Sequence, residues 1–343
     1  MTRPHSHPLR RAAAVLVTAA LFALTACTAG SSGSSGSGGS GGDTTSSSDG
    51  QSAQGAQEPA FDVTPLLDPK KKYLGVAVDG APSSMNPVDH YAELIGKKPN
   101  IVASYSSWGD GFNVQGAKNA LQSGALLYVS WEPFKPSVAK IADGSQDAYI
   151  KSFADDVREA NAPVALSFGH EMNGGWYPWG TKTTKPADFV KAWRHSHDLC
   201  QEEGATNVIW TWSPNVINPV PSVKLKPYWP GDAYVDWVGV VGYWTTTGAS
   251  TFDTLYGPTT KQIRHFTKKP FIISETASEP GQRRRADVRN LFKGVEDDPD
   301  FLGFVWFNIT KRADWRVQAS PLALAEFKRL AADADFGFDV RKQ

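Results

Sequence analysis

Beyond residue 60 the chain alternates between two hydrophobic patterns. Short, nearly continuous apolar runs occupy residues 73–79, 100–105, 125–131, 164–169, 207–212, 237–243, 270–275 and 302–308. Runs with no polar face predict strands covered on both sides, as in a parallel sheet enclosed by helices. Between them apolar residues recur every three or four positions, which predicts amphipathic helices over residues 87–95, 114–121, 147–160, 186–203, 251–267 and 283–295, with a last one over 321–332. Strands that are each followed by helix or loop predict one α/β domain, a single (β/α)8 barrel. An open doubly wound sheet is the competing architecture. The lack of a glycine-rich phosphate-binding turn after the first run counts against it.

The start of the chain reads differently. Residues 1–27 carry a basic beginning, with Arg3, Arg10 and Arg11, and then an apolar run over 12–26 that is too short for a comfortable membrane span. This predicts an export signal. Its end, Leu24-Thr25-Ala26-Cys27, resembles the bacterial lipobox, in which cleavage before the cysteine accompanies its lipid modification. An ordinary signal peptide cut nearby is the alternative, and Arg10-Arg11 fits a twin-arginine signal poorly. Residues 28–60 are almost wholly Gly, Ser, Thr, Asp, Ala and Gln, which cannot bury enough apolar surface to fold. A flexible tether of this length has a root-mean-square span of roughly 30 Å, enough to lift a domain clear of a membrane. The expected layout is a lipoprotein signal over 1–27, a disordered linker over 28–60 and a barrel domain over 61–343. Such a protein is exported and held at the bacterial cell surface through Cys27, or released outside the cell.

Charge and composition narrow the ligand. Lys plus Arg and Asp plus Glu each total 35, so a formal charge of zero offers nothing to nucleic acid or to a strongly acidic partner. Twelve Trp are an excess for a chain of 343 residues, and indole rings in loops suit the faces of sugars. Cys200 has only Cys27 as a conceivable disulfide partner, so it predicts a small buried hydrophobe. His195 and His197 stand on different faces of their predicted helix, which speaks against a metal site there. A monomer is expected.

In a (β/α)8 barrel the active site forms at the C-terminal ends of the strands. The residues found there are Asp79, Tyr105 to Trp108, Trp131 and Glu132, His170 and Glu171, Trp212, Tyr243 and Trp244, Glu275, and Trp306 to Asn308. Glu171 closes the fourth run and Glu275 the seventh, on opposite sides of one mouth. Two facing carboxyls, one to protonate a leaving oxygen and one to attack an anomeric carbon, are what retaining hydrolysis of a glycosidic bond requires.

At these positions the sequence resembles glycoside hydrolase family 26. His170-Glu171-Met172-Asn173-Gly174, followed by Trp176-Tyr177-Pro178-Trp179-Gly180, is similar to the family's acid/base motif, and Ile273-Ser274-Glu275 to its nucleophile motif. The similarity runs from Tyr73 to Arg316 and includes Trp131-Glu132-Pro133, Trp212-Ser213-Pro214-Asn215 and Trp306-Phe307-Asn308. It implies Glu171 as general acid/base, Glu275 as nucleophile, Tyr243 as the tyrosine that orients the nucleophile, and Trp306 as a flat floor under the sugar at the cleavage point. His170 is expected to contact the sugar or position Glu171, and Trp131, Trp176 and Trp179 to act as sugar platforms. Trp131 and Trp212 read equally well as barrel filling, and Trp210 is placed in the core. No metal or organic cofactor is implied.

The chain departs from the family pattern in two places. Members commonly carry an arginine shortly before the His-Glu pair and a polar residue beside the strand-six tyrosine; here Ser167, Phe168 and Gly169, then Val241 and Trp244, stand in those neighbourhoods. The departures bear on the substrate more than on the reaction. The resemblance implies an endo-acting enzyme on β-1,4-mannan, with mixed-linkage β-1,3-1,4-glucan as the alternative. Two readings lack hydrolysis: a carbohydrate-binding surface lipoprotein that has kept the barrel, and a solute-binding lipoprotein, which would need two lobes and no paired glutamates.

Overall fold

The structure, a computed structural model, describes residues 59–343. The expected signal segment with Cys27, and the expected linker up to residue 58, lie outside the described residues. The elements in order are α1 (Thr64–Leu67), β1 (Tyr73–Ala77), α2 (Asn86–Ile95), β2 (Ile101–Ser107), α3 (Val114–Gln122), β3 (Leu126–Glu132), α4 (Val138–Ala142), α5 (Asp147–Ala160) and β4 (Val164–Phe168). There follow α6 (Pro186–Glu202), β5 (Val208–Trp212), β6 (Trp237–Val241), α7 (Phe252–Arg264), β7 (Phe271–Thr276), α8 (Arg284–Asp297), β8 (Phe301–Phe307) and α9 (Pro321–Ala331). The strands close in sequence order into an eight-stranded barrel, every neighbour parallel, with β1 pairing β8. This is the expected (β/α)8 architecture. Each observed strand lies within two residues of its predicted run, and α1 and α4 are additions.

Local chemistry starts several of the helices. Asn113 accepts a hydrogen bond from the Gly116 amide ahead of α3, Ser320 does the same for Ala323 ahead of α9, and Thr251 and Thr254 form a reciprocal capping box on α7. Proline stands in the first turn of α2, α6 and α9, where its missing amide hydrogen has no helical partner to lose. No α-helix lies between β5 and β6, whose connection turns through two short 3-10 segments, Lys226–Tyr228 and Asp232–Tyr234.

Strand alternation decides which side chains face the barrel axis. Tyr128 of β3, Ser167 of β4 and Ser213 just after β5 meet inside it: the Tyr128 hydroxyl lies 2.9 Å from Ser213 Oγ, and Ser167 donates to the same oxygen at 2.8 Å. Gly239 of β6 makes room for this polar layer, because a Cβ there would stand 2.4 Å from Ser213 Oγ and 2.9 Å from Ser274 Oγ. The tryptophans on the other parity face the helices. Trp131 stacks on Phe153 of α5 at 4.3 Å, Trp210 meets Trp193 of α6, and Trp306 meets Phe327 of α9. Placing Trp210 in the core is therefore correct, and Cys200 is likewise buried with a free thiol.

Strand β7 breaks the alternation. Against β6 the partners run from Gly239 with Ile272 to Val241 with Glu275, and against β8 from Ile273 with Phe304 to Thr276 with Trp306. Between these partners β7 carries one residue more than its neighbour, and on the β8 side this offsets an opposite shift between Phe271 and Ile273. Such a bulge re-aims side chains, and here Ser274 and Glu275, although consecutive, both reach the barrel interior and its mouth.

Candidate active site

Glu171 stands on a tight turn out of β4. Gly169 and Glu171 have φ of 54° and 56°, the left-handed region that a non-glycine residue enters at a cost. Two backbone hydrogen bonds hold the turn: the Glu171 amide donates to Ser213 O at 2.7 Å, and the Gly174 amide donates to Glu171 O at 2.8 Å. The carboxyl is then gripped from both sides. Trp176 Nε1 donates to Oε2 at 2.7 Å, and Asn215 Nδ2 donates to Oε1. Asn173, fully buried, locks that second donor in place. Its Nδ2 donates to the Asn215 carbonyl and its Oδ1 accepts from the Asn215 amide, each at 2.8 Å. Burial, and next the charge of Glu275, push the Glu171 carboxyl up to about 7, with Trp176, Asn215 and Lys311 opposing.

Glu275 is held differently. The Tyr105 hydroxyl donates to Oε2 and the Tyr243 hydroxyl to Oε1. Burial raises its pKa, and the two phenols and the Lys311 ammonium counter this by favouring the charged form. Phe307, the inward neighbour of Trp306, packs edge-on against both Tyr105 and Tyr243. Trp315 lies 4.9 Å from the Tyr243 ring. Tyr105 also lines a cavity of about 340 Å³ with Asp79, Ser104, Asp110, Asn113 and Ile309.

His170 is buried between Glu171 and a wall of rings. Its ring meets Tyr177 edge-on at 5.0 Å, and its carbonyl accepts from Trp179 Nε1 at 2.6 Å. Burial, with a smaller contribution from Lys311, pulls its pKa down to about 3, so the ring is neutral at ordinary pH. Glu132, inward at the end of β3, completes the acidic mouth, its carboxyl pushed up to about 8 mainly by burial and then by Glu275 and Glu171 against Lys311.

The structure thus brings together Glu171, Glu275, His170, Trp176 and Tyr243. Three expected sugar platforms need correction. Trp131 is fully buried between Trp108 at 4.4 Å and Phe153 at 4.3 Å, because the inward Glu132 sends its neighbour outward. Trp179 is fully buried, stacked on Tyr177 at 4.3 Å with Phe134 against it. Trp306 is fully buried beneath α9 and donates its Nε1 to Trp315 O at 3.2 Å. A ring covered on both faces presents none to a ligand. At β8 the half-buried ring beside Tyr243 belongs to Trp315, which follows the strand in a loop. Asn215 stood in a motif already singled out, but as an unassigned amide; Lys311, in an irregular loop, carried no sequence signal.

Three comparisons bear on this geometry. The sequence pattern of Glycosyl hydrolase family 26 matches residues 139–275, a span that holds both glutamates. Endoglucanase H of Acetivibrio thermocellus is 30% identical over 263 residues, covering 73% of this chain and 29% of that protein. Mannan endo-1,4-beta-mannosidase A and B of Caldalkalibacillus mannanilyticus is 29% identical over 117 residues, covering 32% of this chain and 20% of that one. The chain thus spans less than a third of the length of either relative. The catalytic domain of a Bacillus sp. JAMB-750 GH26 endo-beta-1,4-mannanase shares the fold with a TM-score of 0.62 at 18% identity, over 80% of this chain and 88% of that one. With its paired glutamates inside the matched span and its barrel superposing on a member's catalytic domain, the chain belongs to glycosyl hydrolase family 26.

Proposed function

We propose that the barrel is a retaining endo-β-glycosidase that hydrolyses a β-linked polysaccharide, with β-1,4-mannan as its substrate. The observation that carries this reading is the unequal grip on two coupled carboxyls across one mouth. Glu171, held up to about 7, keeps a proton to give to the departing oxygen. Glu275, with two phenolic donors, is the carboxylate that attacks the anomeric carbon. When the glycosyl-enzyme bond forms, Glu275 loses its charge. One of the causes that raise Glu171 then disappears, its pKa falls, and it is suited to take a proton from the incoming water. In the resting enzyme Tyr243 and Tyr105 fix the nucleophile's orientation, and Trp176 and Asn215 fix that of the acid.

A mannan substrate is supported by the mannosidase relatives and the mannanase fold neighbours. A β-glucan is the second reading, favoured by Endoglucanase H, whose similarity covers more of this chain than that of the mannosidases reported above. Reducing-end release from mannan, β-glucan and xylan, with product sizing, separates these; binding without release points to a non-hydrolytic carbohydrate-binding protein. Proton NMR of the first-formed product tests retention. The kcat/KM profile is expected to fall as pH rises through about 7, where Glu171 loses its proton. We propose further that the domain acts at the bacterial cell surface, tethered through lipidated Cys27. Replacing that residue, Cys27→Ala, should release the protein from the membrane fraction.

A further inference from the structure

Glu132 has no part in the reaction just described, yet it occupies the same mouth. Its side chain is 12% exposed, and it makes no side-chain hydrogen bond among the described residues. Its backbone is rigidly placed. Glu132 O accepts from the Trp108 and Phe134 amides, each at 2.9 Å, at the end of a strand paired residue for residue with β2 up to Ser107. Opposite it, His170 Nε2 lies 4.0 Å from Glu132 Oε1, beyond hydrogen-bond reach, and the buried His170 Nδ1 is without a partner. A nearly buried carboxyl with no side-chain partner and a buried imidazole with one orphaned nitrogen thus face each other across a narrow gap, short of the hydrogen bonds such groups ordinarily make. Hydroxyl groups of a ligand would satisfy them.

We propose that Glu132 is a specificity-determining residue, whose carboxyl, with His170 beside it, receives neighbouring hydroxyls of the sugar unit at the cleavage point. The inference rests on the reading of this mouth as a polysaccharide site. A carboxyl can engage two adjacent hydroxyls at once, so its preference depends on whether they project from the ring in matching directions. That is the difference between a mannose and a glucose unit. Burial and the two neighbouring glutamates favour the protonated form of Glu132, which keeps it from adding a third negative charge beside Glu171 and Glu275 and allows it to donate as well as accept.

The test uses Glu132→Ala and Glu132→Gln with the wild-type barrel, assayed on mannan and on mixed-linkage β-glucan, with calorimetric binding of mannohexaose and of a mixed-linkage glucan hexasaccharide. Glu132→Ala is expected to lower kcat/KM on the preferred polysaccharide on the order of 30-fold or more and to narrow the ratio between the two substrates. Glu132→Gln should recover part of the loss, since its amide both donates and accepts. The thermal midpoint should stay level or rise, because the carboxyl removed makes no side-chain hydrogen bond among the described residues and is mostly withdrawn from water. Wild-type kcat/KM and an unchanged substrate ratio in Glu132→Ala would overturn the inference, as would a loss accounted for by a lowered thermal midpoint. If the wild type binds the hexasaccharides but releases nothing, the proposed hydrolysis fails. Weaker binding by Glu132→Ala then upholds this inference, and equal binding overturns it.

Discussion

Glu171 and Glu326 are both buried glutamates, 8% and 3% exposed, and their surroundings drive them in opposite directions. At the seam between α8 and α9, Arg285, Arg289 and Arg329 close on Glu326, with contacts from 2.8 to 3.2 Å. These guanidinium hydrogen bonds, that of Arg289 first, hold its carboxyl down at about 2. At the mouth, among the described residues, Glu171 has no arginine hydrogen bond; its side-chain donors are an indole and an amide, and the charge of Glu275, which raises its pKa, outweighs that of Lys311, which lowers it. Burial alone therefore does not decide what a carboxyl is for. Matched positive charge turns it into a structural pin, whereas neutral donors and a like charge leave a group that titrates near neutrality.

The largest effects should come from the mouth. Glu171→Ala and Glu275→Ala are each expected to reduce kcat about 10³-fold or more with the thermal midpoint preserved, read by reducing-sugar release and a melting curve. Near-wild-type turnover in either would end the catalytic reading. In Glu275→Gln the pKa of Glu171, followed by carbon NMR titration, should fall below about 7, because the second-largest cause of its elevation has been removed. An unmoved titration would mean that the two carboxyls are not coupled.

Effects on stability come next. Trp131→Ala, which empties a fully buried site between two stacked rings, is expected to cost about 3–5 kcal/mol of unfolding free energy in denaturant titrations. That outcome separates a wall tryptophan from a sugar platform. Glu326→Gln should cost about 2 kcal/mol at neutral pH through weakened charged hydrogen bonds. The sign of its pH dependence follows from the depressed pKa. The contribution is complete above the ordinary carboxyl value of 4.5 and disappears as pH falls through about 2, so wild-type and variant stabilities should converge in acid. A constant gap would break the contrast with Glu171.

The smallest predicted change sharpens the comparison most. Trp176→Phe keeps a ring but removes the Nε1 donor that favours ionised Glu171, so the Glu171 pKa should rise. The descending limb of kcat/KM should move to higher pH by less than about one unit. A shift to lower pH would assign Trp176 another role.

Much of the architecture was legible because buried parallel strands announce themselves. Runs such as 164–169 and 302–308 have no polar face, and this placed all eight strands and, through the barrel rule, the mouth. The short helices α1 and α4 escaped notice because four or five residues carry too little periodicity. At the site, strand ends and motifs single out Glu171 and Glu275, which the fold brings to one mouth, whereas the rings expected as platforms at Trp131, Trp179 and Trp306 are fully buried. For Trp131 the information was present, since a residue next to an inward Glu132 must face outward. The bulge in β7 was not legible, because register against two neighbours exists only when all three strands are in place.

The sequence by itself determined the barrel, its strand order and the two carboxyls, because hydrophobic period and strand ends are local properties of the chain. Tertiary structure alone decided which rings remain open to a ligand, that Asn173 braces Asn215 against Glu171, and that Lys311 and Glu132 share the mouth with Glu171 and Glu275. Those facts depend on distances between residues far apart in the chain, 42 positions for Asn173 and Asn215 and 44 for Glu171 and Asn215, and on the low-dielectric burial that sets each carboxyl's proton affinity.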